Sequence, residues 1–155
     1  MGRFNWIKKS YTLPEYGGEL ESGDWKLVDF HKEEDAPLER TRAIWSGYPE
    51  DYAPPGHYKV LRRGDTVVMS NTPMELVSNY RALKDATGDV LINGLGMALL
   101  AHSIALKEDV TSVTVIELDE KLIDMLQHCL HDKITTINAD AFTWTPPKGR
   151  RWNFV

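Results

Sequence analysis

Apolar and polar positions along this chain fall into two regimes. From Tyr58 onward, short apolar runs alternate with longer stretches whose apolar positions recur at helical spacing, the signatures of strands and helices respectively. Tyr58–Leu61 and Thr66–Met69 flank Arg62-Arg63-Gly64-Asp65 and read as a hairpin with Gly64 in the turn. The Arg63-Gly64-Asp65 tripeptide imitates an adhesion motif but reads as turn chemistry. Thr72-Pro73-Met74-Glu75 then starts a helix, with Thr72 as cap, Pro73 at the first helical position and Glu75 completing a capping box. Leu76, Val77, Tyr80 and Leu83 share a face of that helix, which runs to about Ala86 before Gly88 ends it.

Strand Val90–Asn93, helix Met97–Leu106, strand Ser112–Glu117, helix Glu120–Leu130 and strand Ile134–Asn138 follow in turn. The second of these helices carries Leu122, Ile123, Leu126, Cys129 and Leu130 on its apolar face. Beyond Thr145-Pro146-Pro147-Lys148-Gly149, the apolar run Trp152–Val155 reads as a fourth strand. Strands alternating with helices predict an α/β protein with a parallel sheet and right-handed crossovers. The expected strand order is 3-2-1-4. Residues 1–57 behave differently. Trp6, Tyr11, Tyr16, Trp25, Trp45, Tyr48 and Tyr52 sit among prolines, glycines and charges with little periodicity, apart from a strand pattern over Trp25–His31. They read as an irregular, aromatic-rich arm or lid on a main domain spanning 58–155.

Composition narrows the classes. A chain of 155 residues can bury one real core but is short for a complete doubly wound enzyme. A net charge of −5 argues against a general nucleic-acid binder. Cys129 is the only cysteine, so no internal disulfide forms and a reducing, cytoplasmic compartment is expected. No apolar run approaches the roughly 18 residues of a membrane span. The N-terminus lacks the apolar stretch of a signal peptide, and Trp6 rules out a myristoylation reading of Gly2. An apolar run at the end of the chain would leave a sheet edge to be covered. Three arrangements would do so: a longer reading frame of which this is a fragment, the N-terminal arm, or a second copy paired as a homodimer. The fragment is the preferred expectation.

The chemistry gathers at the carboxyl ends of the strands. A glycine-rich turn follows the first of them, and Glu117 ends the next roughly 20 residues on, a spacing suited to a ribose-binding carboxylate. Gly94 and Gly96 fit a dinucleotide fingerprint, but Leu99 stands where the third glycine belongs. The shorter form using Gly94, Gly96 and Ala98 fits better and suits a ligand lying against the turn, as S-adenosylmethionine does. Glu117 has a bland alternative as an exposed strand-end carboxylate, and Asp119 reads as the cap of the following helix. Asp140 is open to two roles, holding an adenine amino group or capping a helix, with Ala141 offering a backbone contact and Phe142 an apolar wall. His128, Cys129, His131 and Asp132 cluster at a helix end, where the histidines complement the helix dipole, so no metal site is assigned. His102 reads as structural, and Lys148, Arg150 and Arg151 as a solvated loop.

Val90–Gly96, Val113–Asp119 and Asn138–Ala141 together resemble the successive motifs of class I S-adenosylmethionine-dependent methyltransferases, with their Rossmann-like sheet. More closely they resemble the spermidine-synthase-like branch, in which an apolar residue such as Ile92 replaces the acid found two positions before the first glycine. The hairpin and helix over 58–86 also resemble that branch, so coverage runs roughly from residue 58 to 155. The resemblance implies that Glu117 binds the ribose, Asp140 the adenine end and the Gly94–Ala98 loop the methionine side. The candidate cofactor-binding residues are thus Asn93, Gly94, Gly96, Ala98, Glu117, Asp140 and Ala141. The implied cofactor is S-adenosylmethionine or its decarboxylated form. Polyamine synthases carry a Gly-Gly-Gly-Asp-Gly type loop, whereas Leu95, Met97 and Ala98 stand here, which weakens an aminopropyltransferase assignment. The family's catalytic acidic motif follows the fourth strand, and no residue here matches it. The leading expectation is a transferase with an unidentified acceptor. A non-catalytic nucleoside-binding module is the alternative, excluded by any methyl transfer. A nicotinamide-dependent oxidoreductase comes third, with Leu99 against it.

Overall fold

The computed structural model describes residues 5–155. The first four, including the Gly2 of the rejected acylation reading, lie outside the described residues. After a short helix α1 (Asn5–Lys8), β1 (Leu20–Ser22) and β2 (Trp25–Lys32) form a hairpin around Gly23, whose φ of +62° suits glycine. Helix α2 (Pro37–Ser46) opens on proline and closes on Gly47 in the left-handed conformation. The strands β3 (Gly56–Arg63) and β4 (Thr66–Ser70) complete a four-stranded antiparallel sheet in the order β1-β2-β3-β4.

The expected irregular arm is therefore largely regular structure. The reason is long-range pairing: β2 runs against β3 along its whole length, from Trp25 opposite Arg63 to Lys32 opposite Gly56. The strand pattern expected over Trp25–His31 is β2, which is covered at its Trp25 end. Trp25 and Leu27 are buried while Phe30 and His31 are exposed.

Helix α3 (Pro73–Asp85) starts on Pro73 as its sequence predicts, but the capping box does not close. Ser70 Oγ lies 2.9 Å from the Thr72 hydroxyl and accepts from the Thr72 N–H at 3.3 Å, taking both groups that the box requires. Strands β5 (Gly88–Asn93), β6 (Val110–Glu117) and β7 (Ile134–Asn138) form a parallel sheet with β6 in the middle. The crossovers are α4 (Leu99–Ala105) and α5 (Glu120–Leu126), the latter extended by a 3-10 turn over Gln127–Cys129. Phe154 forms a parallel bridge with Val90, and its carbonyl accepts from the Leu91 N–H at 2.9 Å. The predicted fourth strand thus lies beside β5, giving the expected order 3-2-1-4, but it is reduced to a single bridge.

Val113 through Glu117 are all buried, so β6 is covered on both faces, as a central parallel strand requires. Val113 and Val115 join the main core with Leu99, Ile104, Leu122 and Leu126. Thr114 faces the other way, and Trp152 Nε1 reaches its hydroxyl at 3.4 Å. Leu27 and Leu61, paired across β2 and β3, belong to the same core cluster, so the two sheets share one apolar interior. Among the described residues no helix is long and apolar enough to cross a membrane.

Candidate functional site

The glycine loop begins where β5 leaves the sheet. The Gly94 N–H still donates to the Ile116 carbonyl at 2.7 Å, and its φ of +91° then turns the chain away from β6. A side-chain carbon added at Gly94 would meet open space, whereas one at Gly96 would lie 2.5 Å from the Met69 sulfur. Close approach at Gly96 is thus made by β4 of the protein itself, and the Met97 N–H faces the same sulfur at 3.5 Å. Ala98 holds φ at +62°, a conformation that costs about 1–2 kcal/mol for a residue with a Cβ. Its place as last residue before α4 explains why the fingerprint calls for glycine or alanine there: no larger side chain suits a fully buried, left-handed position. The loop is also held from outside, by the buried Tyr16 hydroxyl donating to the Met97 carbonyl at 2.7 Å.

Glu117 ends β6 opposite Asn138. It is only 9% exposed, yet its carboxylate is well provided for. Oε2 accepts from the Leu95 N–H at 2.8 Å and Oε1 from the Asp119 N–H at 2.9 Å. The strand-end carboxylate therefore pins the glycine loop to the central strand. Asn138 Nδ2 donates to the Glu117 and Leu118 carbonyls, fixing the adjacent turn. Asp119 caps α5 as expected, Oδ1 accepting from the Lys121 N–H at 3.0 Å. Its second oxygen pairs with Arg63 at 3.3 Å.

Two clefts flank this arrangement. The first, ≈ 490 Å³, is lined by Trp25, Arg63, Glu117, Leu118, Asp119, Glu120 and Asn138. Its lining is acidic, with Arg63 as the single cation among the described residues. That guanidinium lies over the Trp25 ring, 5.3 Å from its centre, and donates to Asp24 at 2.8 Å, which holds the Asp24 carboxyl below its usual range. The second cleft, ≈ 290 Å³, is lined by the loop itself (Asn93 to Gly96) together with Val68, Met69, Glu75, Asn79, Ile92, Leu100 and Ala101. Asn93, Gly94 and Gly96 thus share one cleft and Glu117 lies in the other, the two being joined by the Leu95–Glu117 hydrogen bond.

Asp140 uses its side chain locally, Oδ1 accepting from the Phe142 N–H at 2.9 Å to close a turn, while the Phe142 ring is fully exposed. At the helix end where His128, Cys129, His131 and Asp132 gather, Cys129 Sγ donates to the Leu126 carbonyl, and burial pushes its thiol up. Burial likewise lowers the pKa of His102. Sequence reasoning misses Trp25, Arg63, Met69 and Glu75 as lining residues. They come from the antiparallel sheet and α3, and no local pattern marks them: Arg63 reads as turn chemistry and Glu75 as a cap.

Residues 87–152 match the family model of ribosomal RNA adenine dimethylase, a family of S-adenosylmethionine-dependent methyltransferases. The matched stretch is less than half of the chain. It contains the parallel sheet, the glycine loop, Glu117 and Asp140, and it stops short of the antiparallel sheet. The match gives the spermidine-synthase-like branch no support. No curated protein matches the chain.

Proposed function

We propose that this chain binds S-adenosylmethionine and forms the cofactor-binding part of a methyltransferase. The observation that carries the reading is Glu117, a buried carboxylate at the end of the central parallel strand, opening on a cleft beside the glycine loop. Each of its oxygens accepts one backbone N–H and keeps capacity for a further bond. Ribose hydroxyls would therefore meet acceptors already oriented by the fold. The open space over Gly94 fits the approach of a ligand to the loop.

When bound, the cofactor supplies a methyl group on a positively charged sulfur, already activated toward a nucleophile. The work left to the chain is positioning and exclusion of water. In this reading Glu117 holds the ribose, Leu118 and Asn138 wall the nucleoside, and Asp140 and Ala141 meet the adenine end. Asn93, Gly94, Gly96 and Ala98 shape the path of the amino-acid end. Residues 1–57 cover the cofactor-binding domain of 58–155. The family match favours methyl over aminopropyl transfer and so the complete cofactor over its decarboxylated form.

Calorimetric titration of the purified chain with S-adenosylmethionine tests this. Saturable binding is expected, weakened about tenfold to a hundredfold in Glu117→Gln, the loss of a hydrogen bond to a charged acceptor, and abolished in Glu117→Ala. A folded wild-type protein that does not bind would overturn the reading.

A further inference from the structure

We infer that Glu75, on α3 and outside the matched stretch, is a second cofactor-binding residue, taking the ammonium group of the amino-acid end in the cleft that the glycine loop lines. The inference rests on the reading of the site as an S-adenosylmethionine pocket and extends it to the opposite side of the loop from Glu117.

The first observation is what Glu75 does not do. Its sequence position suits a capping box, but Ser70 satisfies the Thr72 N–H and hydroxyl instead. The Glu75 carboxylate is left without a hydrogen bond or ion pair among the described residues, although its own carbonyl accepts from Ser78 and Asn79. The second observation is where it sits. It lines the ≈ 290 Å³ cleft with Asn79, Gly94 and Gly96, and among the described residues it is the one ionisable side chain in that lining. The third is the loop: Gly94-Leu95-Gly96-Met97-Ala98 contains no acid, so the loop offers a cationic ligand no charge of its own.

Partial burial of a carboxylate with no partner disfavours its charged form, and burial does raise the Glu75 pKa. A position in the first turn of a helix compensates only in part. A primary ammonium group entering the cleft would supply the missing counter-charge and up to three donors. S-adenosylmethionine carries such a group at the end remote from its adenine.

The test compares two ligands that share the nucleoside and differ at that end. S-adenosylhomocysteine keeps the amino-acid group, and 5′-methylthioadenosine lacks it. Glu75→Gln should weaken S-adenosylhomocysteine about tenfold to a hundredfold, the range for a hydrogen bond to a charged group, and leave 5′-methylthioadenosine unchanged. Glu75→Asp, which keeps the charge, should recover part of the loss. Thermal melting of both variants checks that they fold. Equal effects on the two ligands, or none, in a protein whose wild type binds both would overturn the role of Glu75 alone. A folded wild type that binds neither would overturn the pocket and this inference with it.

Discussion

The two sheets of this protein are built on opposite principles and meet in one core. In the parallel sheet β6 is buried over five consecutive residues, Val113 to Glu117, and its loops carry the glycines and carboxylates of the site. In the antiparallel sheet Leu27, Tyr58 and Leu61 are buried, while Phe30, Val67 and Val68 remain about half exposed. The first sheet is built by βαβ connections whose partners stand 21 to 23 positions apart, the second by a β2–β3 ladder whose partners stand 24 to 38 apart. The difference shapes the candidate site. The parallel sheet supplies the backbone of the site, whereas the antiparallel sheet supplies its outer walls, Trp25 and Arg63 on one cleft and Met69 on the other.

Emptying the shared core from each side is the most severe challenge to this picture. Leu126→Ala and Leu61→Ala remove fully buried leucines belonging to the two halves. Each should cost about 2–5 kcal/mol, read from denaturant midpoints, within a single unfolding transition. Two separate transitions in either variant would show that the halves are independent units rather than one interior.

A smaller effect probes the link between the N-terminal segment and the loop. Tyr16→Phe removes the hydroxyl that donates to the Met97 carbonyl and leaves that carbonyl without this buried partner. A loss of about 1–2 kcal/mol is expected, together with faster hydrogen exchange in the loop. Unchanged exchange over 94–98 would show that the segment packs there without stabilising the loop.

The smallest effect is a gain. Ala98→Gly relieves the left-handed strain at the head of α4, offset by the added freedom of glycine in the unfolded chain. A net stabilisation of about 0.5–1 kcal/mol is expected, visible as a raised melting temperature. Destabilisation instead would mean that the Ala98 methyl contributes more packing than its backbone conformation costs.

Much of the site is legible in the amino-acid sequence. The strand-turn-helix grammar around Val90–Asp119 identifies the glycine loop, the strand-end carboxylate Glu117 and the capping role of Asp119, because each depends on residues a few positions apart. The same local logic fails at Glu75. A capping box is a local motif, but whether it closes depends on Ser70, which the hairpin brings to Thr72. Local logic finds the strand over Trp25–His31 but not its two partners, β1 and the strand that begins at Gly56.

Local patterning in the chain is enough to dictate the parallel order of strands, the identity of the loop and the chemistry at its end, since backbone propensity and hydrophobic period act over one or two turns of chain. Three-dimensional packing alone sets Met69 on Gly96, makes Arg63 bridge Asp24 and Asp119, and leaves Glu75 without a partner among the described residues beside the loop. Those contacts join residues far apart in the chain. They are set by how two sheets pack over one core, and no periodicity in the chain encodes that.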